Sequence, residues 1–412
     1  MEPQSSKLSD RTYVSPARPL RILLDGRKLG DGGIGVYTEN LIRGLAVTPG
    51  IELTVITSPE RQRPTDVGGH VRWIEDPAKP YSLDELLRLP KRIDFREFDL
   101  FHTPHYMLPL GIPIPTVVTV HDLIQITHPE RFYYPWVAKM LIASAVKRAD
   151  KVIAVSHHTQ SEILEKIARV GDKVVWVPNA APRLSLHVSP GHPPAGVSNP
   201  QRHGFQKKVG ELSPYVLGLF SNLKPHKAFP DLVRGFLQAK EALIASAHNG
   251  AKLRLGELNP RALKLVLVGY GTEELLQAPE LLKLIADNDS VHVLGRVCEE
   301  ELSSLYAGAA CVAIPSLAEG FCLPALEAQA VGARIVARPV PALREIVGGD
   351  VVFSRSFSLS DFVEALKEGI SRPVVKGENA ASSREQLARF TIEATTERIV
   401  QVYRSLISES RS

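Results

Sequence analysis

Two glutamates eight residues apart, Glu319 and Glu327, are the residues of this chain best placed for chemistry. The apolar run from Cys311 to Ile314 predicts a buried strand before them, and Pro324 predicts the first turn of a helix beginning at Leu323. Such a helix presents free backbone N–H groups and its positive dipole end to the loop that holds Glu319. A diphosphate fits beside those groups, while the carboxylates can accept hydrogen bonds from attached hydroxyl groups. The pattern therefore indicates a site for a sugar nucleotide.

The stretch from Glu319 to Glu327 reads Glu-Gly-Phe-Cys-Leu-Pro-Ala-Leu-Glu and resembles the Glu-x7-Glu signature of the retaining glycosyltransferases of family 4. This resemblance covers the chain from Leu20 to Leu406, apart from the linker and the segment from Glu241 to Pro260. It implies an α/β protein of the GT-B fold, in which two Rossmann-like parallel-sheet domains face each other across a cleft. It also implies a C-terminal helix that crosses back to the N-terminal domain.

Composition agrees with a two-domain enzyme. A chain of 412 residues is long enough for two cores, and 44% hydrophobic with 23% charged residues is ordinary for a globular protein. The polar segment from Met1 to Pro19 lacks an apolar signal core, and three cysteines without metal-type spacing favour a reducing compartment. The net charge of +4 does not indicate nucleic acid. We expect a cytoplasmic protein.

The expected domains follow from these signals. We expect a flexible N-terminus at 1–19, an N-terminal Rossmann-like domain on the acceptor side at 20–180 and a linker at 181–213. A C-terminal Rossmann-like domain on the nucleotide-sugar side follows at 214–390, and the crossing helix occupies 391–412.

A glycine-rich loop is predicted from Asp25 to Gly35, with a helix beginning at Val36. The sequence from Gly30 to Gly35 formally matches the dinucleotide fingerprint G-x-G-x-x-G. We reject a dinucleotide site because the first strand ends too early and the second strand has no acid at its end. The loop resembles the Gly-Gly-Ile-Gly-x-Tyr element of the family, which implies that bare backbone at Gly33 approaches the donor or acceptor.

A histidine follows the strand predicted from Val117 to Val120, at the sheet edge where open α/β proteins bind ligands. The Val-His-Asp element resembles that of the family, which implies that His121 faces the donor sugar. Asp122 is predicted either to orient His121 or to cap the next turn.

Lysines mark a strand-to-helix loop in the second half, where flexible ammonium groups can reach phosphate oxygens. The segment resembles the phosphate-clamping loop of the family, and Lys227 matches its lysine, with Lys224 nearby. Many members have an arginine where this chain has Ser221, beside Asn222, so one fixed positive charge is missing.

The resemblance implies a full set of site residues. The expected catalytic residues are Glu319, His121 and Lys227. The expected donor-binding residues are Glu327, Gly320, Phe321, Cys322, Leu323, Gly33, Ser221, Asn222, Lys224, Arg296 and Val297, the last two beside the nucleobase. The Asp-x-Asp pattern at 287–289 precedes a strand and is interpreted as a turn. We expect neither a metal nor another cofactor.

The expected reaction is transfer of a hexosyl unit from a nucleoside diphosphate sugar to a hydroxyl group, with retention at the anomeric carbon. GDP-mannose is the preferred donor, and a surface polysaccharide or lipid-linked glycan is the expected acceptor. The alternatives are a sugar-nucleotide epimerase or phosphorylase, a catalytically silent sugar-nucleotide-binding subunit and, more distantly, an NADP-binding oxidoreductase. The aromatic segment 129–136 suggests a further hypothesis, contact with the inner face of the cell membrane.

Overall fold

The structure is a computed structural model that describes residues 18–67, 70–167, 170–181, 205, 209–220, 223–248, 258–269, 275–372 and 379–409. Its strands form two parallel sheets, of seven and six strands. The predicted linker and the residues Ser221 and Asn222 fall largely or wholly outside the described residues. The expected α/β architecture with two parallel-sheet domains is confirmed.

The N-terminal sheet has the strand order β3-β2-β1-β4-β5-β6-β7. Its strands are β1 (Leu20–Asp25), β2 (Ile51–Thr57), β3 (Arg72–Glu75), β4 (Leu100–Thr103), β5 (Thr116–Val120), β6 (Lys151–Ala154) and β7 (Val174–Trp176). Its helices are α1 (Gly32–Ala46), α2 (Leu83–Leu87), α3 (Leu89–Arg92), α4 (Ile124–Thr127), α5 (Tyr134–Arg148) and α6 (His157–Glu162). The central strands β4 and β5 are buried along their whole length, as inner parallel strands covered on both faces require.

The C-terminal sheet has the order β10-β9-β8-β11-β12-β13. Its strands are β8 (Tyr215–Phe220), β9 (Lys264–Gly269), β10 (Val291–Gly295), β11 (Cys311–Ile314), β12 (Ile335–Ala337) and β13 (Val351–Phe353). The following helices are α7 (Phe229–His248), α8 (Pro279–Ala286), α9 (Glu299–Gly308), α10 (Leu323–Ala330), α11 (Pro341–Ile346), α12 (Leu359–Ser371), α13 (Asn379–Ala388) and α14 (Ile392–Glu409). The predicted strand before Glu319 and the helix that starts at Leu323 are both confirmed.

The last helix, α14, crosses back to the N-terminal domain. Its buried face joins the core cluster that contains Ile22 and Leu24 of β1. Tyr403 of α14 hydrogen-bonds through its hydroxyl to His102 Nδ1 at 2.6 Å. The predicted crossing helix is therefore confirmed. Within the described part of the chain, every helix is too short or too polar to span a membrane.

A carboxylate from the C-terminal domain also contacts the N-terminal domain. Glu345 of α11 accepts hydrogen bonds from the backbone N–H groups of His157 and His158, both at 2.7 Å. These two residues begin α6, where backbone N–H groups lack partners within the helix. The contact ties one edge of the two domains together beside the cleft.

One local expectation was wrong. Helix α1 begins at Gly32 rather than Val36, so part of the glycine-rich loop is already helical. The edge strand β13 was not predicted, because three residues are too short for a period-two pattern.

Candidate active site

The carboxyl ends of β8 and β11 carry the two central side chains of the site. These strands are neighbours, and the strand order reverses between them, where open α/β sheets bind ligands. The loop after β8 carries Lys227 and the loop after β11 carries Glu319. The Lys227 ammonium donates to both carboxylate oxygens of Glu319, at 2.7 and 2.9 Å. Ser316 donates a further hydrogen bond to Oε1 of Glu319 at 2.6 Å.

The environment of this ion pair favours the charged form of Lys227. Burial alone would lower the pKa of Lys227, but the nearby Glu319, together with Cys322 and Asp122, offsets this and raises the pKa above its usual range. The side chains retain 17% and 8% of their exposure, so the pair opens narrowly to solvent. A ligand can therefore meet an ammonium and a carboxylate that are already oriented.

The two loops that hold the pair are bonded to each other. The backbone N–H of Leu317 donates to the carbonyl of His226 at 2.7 Å. Buried Arg338 adds a second brace, because it donates to the Pro315 carbonyl at 2.8 Å and to Asp231 of α7 at 2.6 Å. Sequence reasoning did not find Arg338, since it follows β12 and lies far from both loops in the sequence.

Gly320 brings the two domains into direct contact. A Cβ atom at this position would lie 1.9 Å from the backbone carbonyl oxygen of His121. A second contact crosses the cleft where Lys224 Nζ lies 3.4 Å from a carboxylate oxygen of Glu130. The structure therefore brings His121, Gly320 and Glu319 together across the cleft.

The imidazole of His121 is neutral. Its Nε2 donates to the carbonyl of Pro104 at 2.9 Å, which leaves Nδ1 as an acceptor. Burial lowers the pKa of His121 to about 4. The ring of Tyr37 packs edge-on against the imidazole with 4.9 Å between centroids. Asp122 caps the next turn by accepting from the Ile124 backbone N–H at 2.9 Å, so the second of its two predicted roles is confirmed.

Phe321, Cys322 and Leu323 form the entry to α10, and their side chains belong to the core of the C-terminal domain. Phe321 packs on the ring of Phe390 with 5.8 Å between centroids. Cys322 has φ +81°, in the left-handed region, which turns the chain into the helix. A ligand at this point can meet only the backbone N–H groups of these three residues.

Glu327 lies inside α10 and accepts a hydrogen bond from the hydroxyl of Tyr306 at 2.5 Å. Burial raises the pKa of Glu327. The tyrosine therefore occupies one lone pair of the carboxyl group and fixes its orientation, while the other oxygen can accept from a ligand. Tyr306 lies in α9, and no sequence signal pointed to it.

Three of the other expected donor-binding residues, Arg296, Val297 and Gly33, lie within the described residues. Arg296 is exposed between β10 and α9, and Val297 packs partly against the core. Gly33 is exposed in the first turn of α1, and a Cβ atom there would meet no atom within 4 Å. No described residue therefore requires a glycine at position 33, so the expectation that Gly33 contacts a ligand stays a prediction. Ser221 and Asn222 lie outside the described residues.

Sequence spacing also missed a buried cluster in the N-terminal domain. Ligand-type atoms of Asp25, Glu85 and His105 lie within 4.8 Å of one another, the one such grouping within the described residues. The guanidinium of Arg27 lies among them and donates to Asp25 at 2.6 Å and to Glu85 at 2.7 Å. A fixed cation therefore already balances these carboxylates.

Comparisons with known proteins agree with this architecture. Residues 31–182 match the model of Glycosyltransferase Family 4, and residues 232–372 match that of Glycosyl transferases group 1. Sucrose-phosphate synthase from Thermosynechococcus elongatus superposes with a TM-score of 0.68 at 18% identity, covering 95% of this chain and 100% of that one. The fold and the two family models together define a glycosyltransferase of the GT-B fold. Within that class, the chain belongs to glycosyltransferase family 4 of the glycosyl transferases group 1.

Curated relatives differ in the acceptors that their names describe. O-antigen chain mannosyltransferase B of Escherichia coli is 27% identical over 338 residues, covering 77% of this chain and 81% of its own length. D-inositol 3-phosphate glycosyltransferase of Saccharomonospora viridis is 26% identical over 421 residues, covering 92% and 90%.

Gly320 provides a test of the interdomain contact. The Gly320→Ala substitution should lower turnover about a hundredfold, because the new methyl group displaces the His121 backbone and misaligns the two walls of the cleft. Turnover is measured alongside thermal unfolding. Gly348→Ala is the matched control in the same domain, since its nearest atom would lie at 3.6 Å. Wild-type turnover in Gly320→Ala would contradict the contact.

The neutral state of His121 predicts a pH effect on stability. An unfolded histidine has a pKa near 6.5, whereas that of folded His121 is about 4. Unfolding therefore binds a proton between these values, so the contribution of His121 to stability is complete above pH 6.5 and declines as pH falls toward 4. His121→Gln, which can still donate to Pro104, should reduce the pH slope of the free energy of unfolding by about 1.4 kcal/mol per pH unit. Urea unfolding at several pH values measures this, and identical slopes in both proteins would refute it.

Proposed function

We propose that this glycosyltransferase moves a hexosyl unit, preferentially mannosyl from GDP-mannose, to a hydroxyl group of a glycan or lipid-linked acceptor with retention of anomeric configuration. The observation that carries the proposal is the Lys227–Glu319 pair at the reversal of the strand order, opposite His121. The mannosyltransferase from Escherichia coli supports the choice of sugar. Anabaena HepE, whose structure in complex with UDP and glucose superposes with a TM-score of 0.64, supports a nucleotide sugar as the donor class.

Lys227 would stabilise the leaving diphosphate. An ammonium group has three donors, and the two directed to Glu319 leave one for a phosphate oxygen. The backbone N–H groups at the start of α10, near Leu323, and the helix dipole add to the positive potential there. Exposed Lys224 can approach the same phosphates. These groups would supply the charge stabilisation that a metal gives in other transferases, and we infer that the reaction needs no metal.

Glu319 and His121 would hold the sugar from opposite walls. The developing positive charge on the ring is stabilised by the Glu319 carboxylate, and the Nδ1 atom of neutral His121 accepts from a sugar hydroxyl. Glu327, oriented by Tyr306, would accept from the ribose. Arg296 and Val297 are proposed to lie beside the nucleobase. The departing phosphate oxygen would take the proton of the acceptor hydroxyl.

The ion pair predicts the effect of two substitutions. Glu319→Gln and Lys227→Ala should each lower transfer from the true donor at least a hundredfold, because each removes charge that stabilises the transition state. A thermal-shift screen of GDP, UDP and dTDP sugars first identifies the donor. Lys367→Ala, which breaks an exposed ion pair with Glu364, is the control. Unchanged turnover in both site variants would refute the proposed roles.

We further propose that α5 docks on an anionic membrane surface. Phe132, Trp136 and Met140 are 89%, 80% and 64% exposed on one side of the domain, an unusual loss of apolar burial. Exposed Arg131 and Lys139 lie in the same segment and complement anionic headgroups. The aromatic side chains would enter the interface, which brings the cleft close to a lipid-linked acceptor.

Vesicle binding tests this docking surface. The double substitution Trp136→Ser and Met140→Ser should weaken co-sedimentation with phosphatidylglycerol-containing vesicles about tenfold or more, because two large apolar side chains no longer leave water. Leu276→Ser is the control, since Leu276 is 64% exposed and lies in the C-terminal domain. The proposal fails if the wild-type protein stays in solution or if the double variant sediments equally well.

A further inference from the structure

Two tyrosine rings, Tyr81 and Tyr106, and the ammonium group of Lys28 form a wall of the N-terminal domain. This wall has no role in the proposed binding of the donor. It lies beside the carboxyl ends of β1 and β4, between which the order of the N-terminal sheet reverses. This is the counterpart of the position that the Lys227–Glu319 pair occupies in the other sheet. The rings of Tyr81 and Tyr106 are 5.2 Å apart, and the Lys28 ammonium lies 5.0 Å from the Tyr81 ring centre.

The backbone of Tyr81 is strained. Its φ of +63° lies in the left-handed region, which bulky side chains rarely adopt, and such strain is concentrated at binding sites. The residue nevertheless keeps 36% of its surface exposed, so core packing alone does not explain why an aromatic residue is held there. Part of the tyrosine ring is therefore open to solvent at the sheet edge, while its hydroxyl end is buried.

A buried ionic network holds this conformation. The Tyr81 backbone N–H donates to the Glu85 carboxylate at 2.6 Å, and Glu85 in turn accepts from Arg27 at 2.7 Å. Arg27 also forms hydrogen bonds to Asp25 at 2.6 and 2.9 Å. All three charged groups are fully buried, which costs several kcal/mol per ion before pairing. The network thus fixes the backbone of Tyr81 and, with it, the position of the tyrosine ring.

The wall continues into the donor site through Asp122. Burial raises the pKa of Tyr106 to about 12, and the charge of Asp122 adds to the rise. Burial also raises the pKa of Tyr81, and Tyr106, Glu85 and Asp122 add to that rise. Asp122 also lies against Gly320, where an added Cβ atom would approach its Cβ to 2.9 Å. Asp122 therefore connects the wall to the loop that carries Gly320 and Glu319.

The charges around the wall favour one class of molecule. The carboxylates on and beneath the wall are Asp25, Asp31, Asp76, Glu85 and Asp122, and the cations of the same domain are Arg27, Lys28 and Arg92. From the other domain Lys224 and Lys227 also act on Asp122, but each is paired with a carboxylate of its own, Glu130 and Glu319. Lys28 is already paired with Asp31. A phosphorylated acceptor would meet a net negative surface. A neutral sugar would not, and its C–H face can pack on the tyrosine rings while its hydroxyl groups bond to Lys28 or Asp122.

We propose that the wall of Tyr81, Tyr106 and Lys28 binds the terminal pyranose ring of a neutral glycan acceptor, and not a phosphorylated polyol. The inference rests on the proposed function, since it places the acceptor hydroxyl beside the donor sugar.

Saturation-transfer NMR tests the wall directly. Methyl α-D-mannopyranoside is the neutral probe, and the aromatic protons of the protein are saturated. The wild-type protein should transfer saturation to the ring C–H protons of the glycoside, and D-myo-inositol 3-phosphate should not compete. Tyr81→Phe keeps the ring and should bind. Tyr81→Asn should weaken binding about tenfold, which is about 1.4 kcal/mol, because asparagine accepts the left-handed backbone but has no ring.

Phe357→Asn is the matched control, since Phe357 is an exposed aromatic residue, at 42%, in the other domain. The inference is overturned if the wild-type protein transfers no saturation, if Tyr81→Asn binds as tightly as the wild type, if Tyr81→Phe loses as much affinity as Tyr81→Asn, or if the inositol phosphate competes. Thermal unfolding confirms that each variant is folded.

This readout separates the two proposals because it needs no donor. Should no nucleotide sugar yield a product, the proposed reaction fails while the difference between the wild type and Tyr81→Asn still reports on the wall. Should mannosyl transfer proceed with the same acceptor KM in the wild type and Tyr81→Asn, the reaction stands and the wall inference fails.

Discussion

The ion pair of Lys227 and Glu319 is the constraint on which the account of this enzyme depends. Burying either charge alone at the mouth of a cleft would carry a large desolvation cost, which the attraction of the partner charge offsets. The pair remains partly open, so in the proposed reaction a diphosphate sugar would share the ammonium while its sugar hydroxyls would share the carboxylate. The contact within the pair would then orient both charges that the proposed reaction requires.

The rest of the fold holds this ion pair in position. Adjacent parallel strands β8 and β11 bring the two loops to one edge, and Arg338 with the Leu317–His226 backbone bond fixes them there. The N-terminal domain supplies the opposite wall through His121, which meets Gly320 so closely that no side chain fits between them. Helix α14 and Glu345 then hold the two domains in register.

Features that depend on a few neighbouring residues could be predicted from the sequence, whereas features that depend on contacts between distant residues could not. The strand ending at Ile314 and the helix starting at Leu323 were predicted because apolar runs and an early proline act over a few residues. The start of α1 was misplaced because glycines usually disfavour a helix, whereas Gly32 and Gly33 occupy the exposed first turn of α1. The Arg27–Glu85 contact joins residues 58 positions apart, and the role of Tyr306 depends on a neighbouring helix. Neither leaves a pattern in a single sequence.

The most direct test of the central claim is calorimetric binding of a nucleoside diphosphate and of its parent nucleoside to the wild type and to Lys227→Met. The base and ribose contacts are common to both ligands, so the difference isolates the pyrophosphate. Lys227→Met should weaken binding of the diphosphate about tenfold or more and leave binding of the nucleoside unchanged. Equal effects on both ligands, or none on the diphosphate, would show that Lys227 does not bind the pyrophosphate.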